Sequence, residues 1–578
     1  MAARWAASTV YQIYPRSFAD ANGDGFGDLR GILGRVDYLA RLGIDVVWLS
    51  PIQPSPDVDN GYDISDYEGV DPRYGSLADF DELLAALHAR DIKLIMDLVV
   101  NHTSDQHAWF AASRSSRSDP KRDWYFWRPA RPGTKPGAPG AEPNNWGSFF
   151  SGPAWRFDPE TGEYYLHVFA AQQPDLNWEN GAVRAAIYAM MRGWLDRGVD
   201  GFRMDVINLI SKDPSLPDGP TIAGLRYGLG VPHFVGGPRL HEYLAEMRRE
   251  VFARYDRALF TVGETPLVTV EQAQRLCDPG PCGLDMVFSF DHMMADYGAS
   301  KFDLQPLDLR KLKAIFTRWQ EGLAEAGWNS LYWANHDQPR AVSRFGDDGA
   351  HRVRSAKLLA TALHLQRGTP YVYQGEELGM TNVPFASLDE LRDVESRNFA
   401  EEALAAGADP DAVLSQLRVA SRDNARTPMH WDATPSAGFS SGRPWLPVNP
   451  NYREINAAAA EADPDSVFHH YRRLVALRRS DPVVAFGAYR ELLPDHESVY
   501  AFTRTNGAEL LLVLCNFSGR EVRAAVPEAG RWAAAGIVLS NYGAAGAPVV
   551  EGGDFRLRPW EAVVLRRSLR GVTSRSGT

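Results

Sequence analysis

Cysteine is scarce in this chain. Three in 578 residues do not make the disulfide framework of a small secreted scaffold. Cys277 and Cys282 flank a Pro-Gly-Pro turn, where they either pair or stay reduced, while Cys515 ends the apolar run 510–515 and reads as core. Long hydrophobic runs are missing too. None approaches the ~20 residues that span a bilayer, and no basic segment leads into an apolar one at the start. These absences predict a cytoplasmic protein with no membrane partner. Positive charge is in deficit, with 61 Lys and Arg against 73 Asp and Glu and a net charge of −12. That balance speaks against nucleic acid as a partner. What remains is an ordinary globular composition, 44% hydrophobic and 23% charged, in a chain too long for one core. Two or three domains are expected.

Short apolar runs alternate with helical patterns from the beginning. Residues 10–13, 46–49 and 94–96 read as strands, and 29–42 and 77–89 as amphipathic helices between them. The strands are apolar throughout rather than alternating, as in a parallel sheet covered on both faces. That rhythm suits either a doubly wound sheet or a (β/α)8 barrel. It stops after His102. From 103 to 174 the chain is rich in Trp, Pro, Gly and Ser, with little helical periodicity, and reads as an inserted domain. It resumes with a helix at 182–197 and strands at 201–204, 259–262, 286–290, 330–333 and 371–373, which brings the total to eight. After a helix near 469–479, runs at 499–502, 510–515 and 562–565 read as antiparallel strands. The expected architecture is therefore a TIM barrel over 1–102 and 175–481 with an insertion at 103–174. A C-terminal antiparallel β-sandwich follows at 482–569, then a disordered polar tail at 570–578.

In such a barrel, chemistry gathers at the C-terminal ends of the strands. Those ends carry Asp97 and Asn101-His102, Arg203-Met-Asp205, Glu264, and His336-Asp337. One acid there is ordinarily solvated or capping a helix. Four acids with an arginine and two histidines are hard to explain as caps, because buried charges persist when paired or used. Two carboxylates flanking a bond, one protonated and one ionised, are the equipment of glycoside hydrolysis. Spacing along the chain does not separate a retaining from an inverting outcome. Tyr62, Trp146, Phe149, Phe150, Phe169 and Trp178 cluster around the barrel mouth or the insert, and such rings stack on the C–H faces of sugars.

Five segments carry a resemblance. Asp97-Leu-Val-Val-Asn-His102, Gly201-Phe-Arg-Met-Asp-Val-Ile-Asn208, Thr261-Val-Gly-Glu-Thr265 and Trp333-Ala-Asn-His-Asp337 resemble the signatures of the α-amylase superfamily, glycoside hydrolase family 13. Gln173-Pro-Asp-Leu-Asn177 is similar to the segment marking its oligo-1,6-glucosidase and α-glucosidase subfamily. The resemblance covers nearly the whole chain. It implies that Asp205 attacks the anomeric carbon, that Glu264 is the general acid/base, and that Asp337 holds the 2- and 3-hydroxyls. Arg203, on the same strand face as Asp205, would keep that carboxylate ionised. His102 and His336 would bind hydroxyls, and Tyr62 would form the stacking floor. Phe150, Phe169, Gln173 and Arg340 complete the substrate-binding set. Asp59-Asn-Gly-Tyr62 and Arg422-Asp-Asn-Ala-Arg426 resemble the elements that close the pocket, with Asp59 and Arg422 gripping the 4-hydroxyl of a terminal glucose. A blocked pocket implies an exo-acting enzyme on short oligosaccharides; no organic cofactor is expected, and the expected state is a monomer or weak homodimer.

Two finer features follow. Asp20, Asn22, Asp24, Phe26 and Asp28 are spaced like the ligands of a calcium loop with Gly25 at its sharp turn, although Gly31 stands where an EF-hand has its last Glu. An Asx/Gly turn without metal is the alternative; the family reading is one structural Ca²⁺, or Mg²⁺. Val206, directly after Asp205, accompanies α-1,6 preference in relatives of the family. Thr265 and His430 depart from the family pattern, and Thr265 is a candidate contact to the leaving sugar. Among rivals on this scaffold, sucrose isomerases carry an Arg-rich segment that Phe290-Asp-His-Met-Met-Ala-Asp296 lacks. Broad-specificity or α-1,4-preferring α-glucosidases and transglucosidases stay open, with trehalose synthases ranked behind them. Transporter-associated homologues lose the acids kept here.

Overall fold

Strands buried on both faces need no alternation of polar and apolar side chains, and that is what the apolar runs become. The computed structural model describes residues 5–568 apart from 223, 225, 279, 281, 282, 533, 534, 544–548 and 552. In chain order the first strands are β1 (Val10–Ile13), β2 (Val46–Leu49) and β3 (Lys93–Val99). The insertion adds β4 (Trp127–Arg128), β5 (Trp155–Asp158) and β6 (Glu163–Leu166). The barrel continues with β7 (Gly201–Asp205), β8 (Phe260–Glu264), β9 (Met286–Phe288), β10 (Ser330–Leu331) and β11 (Thr369–Tyr373). The parallel sheet runs β10-β11-β1-β2-β3-β7-β8-β9. A parallel bridge between Val287 and Asn329, with Val287 N–H on the Trp328 carbonyl at 3.3 Å, joins its two ends. The result is a closed TIM barrel.

The small sheet of the insertion has the order β4-β6-β5. After the barrel come β12 (Ala488–Leu492), β13 (Val499–Asn506), β14 (Glu509–Asn516), β15 (Val522–Ala524), β16 (Gly536–Ser540), β17 (Val549–Glu551), β18 (Asp554–Leu557) and β19 (Ala562–Ser568). They form an antiparallel sheet β12-β13-β14-β19-β16 and a second one, β15-β18-β17. Between them lies a core that includes Leu512, Val563, Phe555 and Leu557. Lys313, on a barrel helix, donates to the carbonyls of Leu493, His496 and Val499 at 2.7–3.1 Å and ties the β-sandwich to the barrel.

Several local expectations change. The helix expected over 29–42 is two, Leu29–Leu33 and Val36–Leu42. Between them Gly34 favours a break, and Arg35 leaves the helical path with its guanidinium 4.2 Å over the Trp431 ring. The insertion holds a helix, Ala108–Ser115, capped by the His107 ring. The fifth barrel strand extends to Glu264, whereas the seventh shrinks to Ser330–Leu331. Residues 482–486, expected to open the sandwich, form a helical turn begun by Pro482. The tail expected at 570–578 and the partner sulfur of Cys282 lie outside the described residues. Among those residues no helix is long and apolar enough to cross a membrane.

Candidate active site

The C-terminal ends of β3, β7 and β8 converge on one arginine. Arg203 and Asp205 sit two apart on β7, so both side chains face the barrel mouth. Arg203 Nη1 donates to Asp97 Oδ1 and to Asp205 Oδ1, each at 2.6 Å, and Nη2 lies 2.5 Å from Glu264 Oε1. Asp97 accepts two further donors, Trp48 Nε1 at 2.8 Å and the Tyr62 hydroxyl at 3.1 Å. Three buried carboxylates thus share one guanidinium. If all were ionised the cluster would carry two uncompensated negative charges in a dry pocket, which is costly. Burial raises the Asp205 carboxyl to about 6, against the pull of Arg203. Burial and the neighbouring Asp205 raise Glu264 further, to about 8, despite Arg203. Near neutral pH, Glu264 holds a proton and Asp205 does not.

A second cluster faces the first. Arg422 Nη2 lies 3.1 Å from Asp59 Oδ1 and 2.5 Å from Asp393 Oδ1, and Nη1 donates to Asp337 Oδ1 at 3.1 Å. Arg426 Nη2 donates to the same Asp337 oxygen at 2.7 Å. Burial alone would raise Asp337, but Arg422 and Arg426, which stay charged where the neighbouring His336 is neutral, outweigh it and hold this carboxyl well below the usual range. Its side chain is 30% exposed, against 9% for Asp205 and 8% for Glu264. Asp337 is therefore the acid nearest the mouth.

The pocket wall is aromatic. Tyr62 stacks on His336 with ring centroids 4.9 Å apart and planes 6° from parallel. His102 Nε2 donates to the Tyr62 carbonyl at 3.1 Å, and Gln173 Nε2 bridges Asp59 Oδ2 and that carbonyl at 3.1 and 3.3 Å. The loop that brings Asp59 and Tyr62 inward is held by Asp63, whose carboxylate accepts the N–H groups of Val58 and Asp59. Phe150 lies under the Arg422 guanidinium at 5.1 Å and packs on Phe169, which touches His102. Both phenylalanines also line a cleft of about 1000 Å³ running over the insertion.

Not every expected residue joins the pocket. Arg340 spends its donors on the carbonyls of Asn424, Gln374 and Thr427, and braces the loop behind the pocket rather than facing a ligand. Trp146 and Trp178 are fully buried, their indole N–H groups on the carbonyls of Pro217 and Val100, so neither offers a stacking face. Thr265 is buried and its hydroxyl donates to the Phe288 carbonyl, which removes it from the leaving-sugar side. Buried His430 likewise bonds the Ile455 carbonyl outside the pocket. Val206 adopts a left-handed backbone, φ 33°, strained for a β-branched residue. That turn delivers its N–H to Glu264 Oε2 at 3.0 Å. Conversely, Asp393 and Arg426 take part without having been singled out. Arg426 was legible as the end of the Arg422 motif; Asp393 carries no signal in its surroundings.

In the Asp20–Asp28 loop, Gly25 has φ 92°, and a Cβ there would fall 1.9 Å from the Arg443 carbonyl oxygen, so the sharp turn requires glycine. Asp20 Oδ1 accepts the Asn22 and Gly23 N–H groups, Asp24 accepts Phe26 N–H, and Asp28 accepts Ala21, Asn22 and Gly31 N–H. Among the described residues no three acidic, His or Cys side chains converge as a metal cage.

Residues 12–487 match the catalytic domain of α-amylase, and residues 499–564 match the C-terminal domain of the α-amylase SusG. An oligo-1,6-glucosidase of Parageobacillus thermoglucosidasius is 53% identical, over 97% of this chain and 98% of its own. A trehalose-6-phosphate hydrolase of Bacillus subtilis is 47% identical, with 97% and 98% covered. A crystal structure of the Bacillus licheniformis trehalose-6-phosphate hydrolase is 46% identical, covers 97% of this chain and 99% of its own, and superposes with a TM-score of 0.91.

Proposed function

Because this chain belongs to the α-amylase superfamily, glycoside hydrolase family 13, we propose that it is an exo-acting α-glucosidase that releases glucose from the non-reducing end of short α-glucosides. The observation that carries this reading is the pairing of the two clusters. A proton-holding acid and an ionised carboxylate on one arginine face a pocket closed by the ion pair of Arg422 with Asp59. A chain end fits such a pocket; the middle of a long glucan does not.

The chemistry follows from the charge states. Glu264, protonated near neutral pH, gives its proton to the glycosidic oxygen as the C1–O bond breaks. Asp205, ionised, attacks C1 from the opposite face and forms a β-glucosyl ester. Glu264, now a carboxylate, takes a proton from water, whose oxygen attacks C1, and Asp205 leaves. One proton enters and one returns, so α-glucose is released and the enzyme is restored. The two carboxylates are held side by side on a single guanidinium, at 2.6 and 2.5 Å from its two terminal nitrogens. This supports retention, which uses a separation of about 5–5.5 Å, over inversion at about 6.5–9.5 Å. Asp337, held ionised by two arginines, stabilises the positive charge that develops on the sugar ring. His102 and His336 bind hydroxyls, and Tyr62 stacks beneath the ring.

Val206 packs in a buried cluster with Leu209 and Phe234, one residue after Asp205. We read it as favouring α-1,6 linkages, in line with the oligo-1,6-glucosidase likeness. Initial rates on isomaltose, maltose, sucrose, trehalose, trehalose-6-phosphate and a long dextran, with products resolved, test the whole reading. Isomaltose turned over faster than maltose is the expected order, and the reverse sinks the linkage assignment. Trehalose-6-phosphate as the best substrate would favour the second reading that the 47% relative raises.

The Asp20–Asp28 loop carries donor types that a hard cation takes, three carboxylates, the Asn22 amide oxygen and the Phe26 carbonyl, although here the side-chain oxygens are turned to backbone N–H groups and do not converge. A Ca²⁺ there would be structural, with no part in the reaction. Cytoplasmic location and a monomeric or weakly dimeric state complete the proposal.

A further inference from the structure

His336 is held in an aromatic box. Tyr62 stacks on it at 4.9 Å, Tyr14 lies nearly parallel at 6.0 Å and 12°, and Trp48 stands nearly perpendicular at 6.0 Å and 86°. The ring cannot turn over without displacing all three. Its two nitrogens have different neighbours. Nδ1 lies 2.8 Å from Gln12 Nε2, on β1, and the same amide nitrogen donates to Ser50 Oγ at 3.1 Å. Nε2 is buried, lies 3.3 Å from Asp337 Oδ2, and has no hydrogen-bond partner in the protein among the described residues. An amide NH₂ only donates, so Nδ1 must be the acceptor and the ring proton must sit on Nε2. Turning the Gln12 amide over would reverse this. It would point the bare Nε2 lone pair at the Asp337 carboxylate, which two arginines keep negative; that repulsion selects the first arrangement.

We propose that Gln12 is a positioning residue that fixes His336 as the neutral Nε2–H tautomer, leaving that N–H free to bind a sugar hydroxyl beside Asp337. The assignment rests on reading this pocket as the sugar site. It explains why a polar side chain stands on β1, a strand whose four residues are all buried. Doubly protonating the ring would place a cation among Arg203, Arg422 and Arg426 in a buried box, and the ring is accordingly held far on the neutral side. Gln12 touches no reacting atom. It acts through the ring, and the ring acts through one hydrogen.

The test is a tautomer measurement on the full-length protein with ring-¹⁵N histidine, His336 being assigned from its loss in His336→Ala. The expected wild-type pattern is a protonated Nε2 and a bare Nδ1. Gln12→Glu presents an acceptor where the donor stood, and Nδ1 is then expected to gain a proton. Gln12→Met keeps the size and removes the donor, so its ring is expected to average both tautomers. On isomaltose, kcat should fall about 10-fold in Gln12→Met and about 100-fold in Gln12→Glu, with KM moving less than about 3-fold. A merely structural Gln12 would lower Tm in both variants and leave the tautomer unchanged. A protonated Nδ1 in the wild type, or an unaltered pattern in both variants, overturns the proposal. Should Gln12→Glu fail to fold, the wild-type and Gln12→Met patterns still decide. A wild type that shows the expected tautomer but cleaves no α-glucoside upholds Gln12's role and removes the glucosidase reading instead.

Discussion

The two arginine clusters of the pocket are made of the same parts and handle protons in opposite ways. Around Arg203, three carboxylates share one guanidinium, and Glu264 keeps its proton up to about pH 8. Around Arg422 and Arg426, four carboxylates share two guanidinium groups, counting Glu395 at 3.7 Å; Asp337 and Asp393 are held ionised, and burial raises Asp59 to about 6. Burial pushes the aspartates and Glu264 toward the neutral form. The ratio of cations to carboxylates decides which of them yield. A reacting end that stores a proton and a recognising end that does not are thus separated by one arginine.

Breaking the reacting end has the largest expected effect. Asp205→Asn removes the nucleophile and should lower kcat/KM by at least about 10³-fold; residual turnover above about one part in 10³ would contradict the assignment. Breaking the recognising end should cost less in rate and more in stability. Arg422→Ala strands Asp59 and Asp393, a loss of about 3–5 kcal/mol in chemical denaturation for a buried pair left without its partner. Its kcat/KM should fall about 10²-fold, chiefly through KM. A change confined to kcat would move Arg422 to the reacting end.

The pH profile sharpens the same contrast. Asp205 must be ionised to attack, so kcat/KM falls as pH drops through about 6. Glu264 must be protonated to donate, so it also falls as pH rises through about 8. Both limbs lie above the ordinary carboxylate range because burial raises both groups. Arg426→Gln, which thins only the recognising cluster, should lower the plateau and leave both limbs in place. The smallest effect belongs to the distant loop: chelator should lower Tm by a few degrees while turnover stays intact. An unchanged melting curve removes the Ca²⁺ assignment.

Much of this was readable along the chain. Continuous apolar runs marked seven barrel strands closely, since a strand buried on both faces has one composition and little else imitates it. The seventh was overread: residues 332–333 are as apolar as a strand, yet the chain leaves the ladder after Leu331. The acids at the strand ends stood out for the same reason, as charges where burial was expected. The failures have a common cause. Arg340, Trp146, Trp178 and Thr265 are residue types that suit a sugar site, and each was expected there without knowledge of its partners in space. In the fold their donors meet main-chain carbonyls instead, a partnership that no spacing along the sequence reveals. Asp393 was missed by the same logic, because its role comes from Arg422, 29 residues away.

The sequence by itself determined the barrel, the acids at its mouth and the arginine beside Asp205, because strand period and apolar content are local properties. Only the tertiary structure decided what those acids do. Whether a carboxyl keeps its proton depends on how many others share its arginine, and which nitrogen of His336 carries hydrogen depends on an amide 324 residues away. Both are counts of neighbours in space, and the chain order does not contain them.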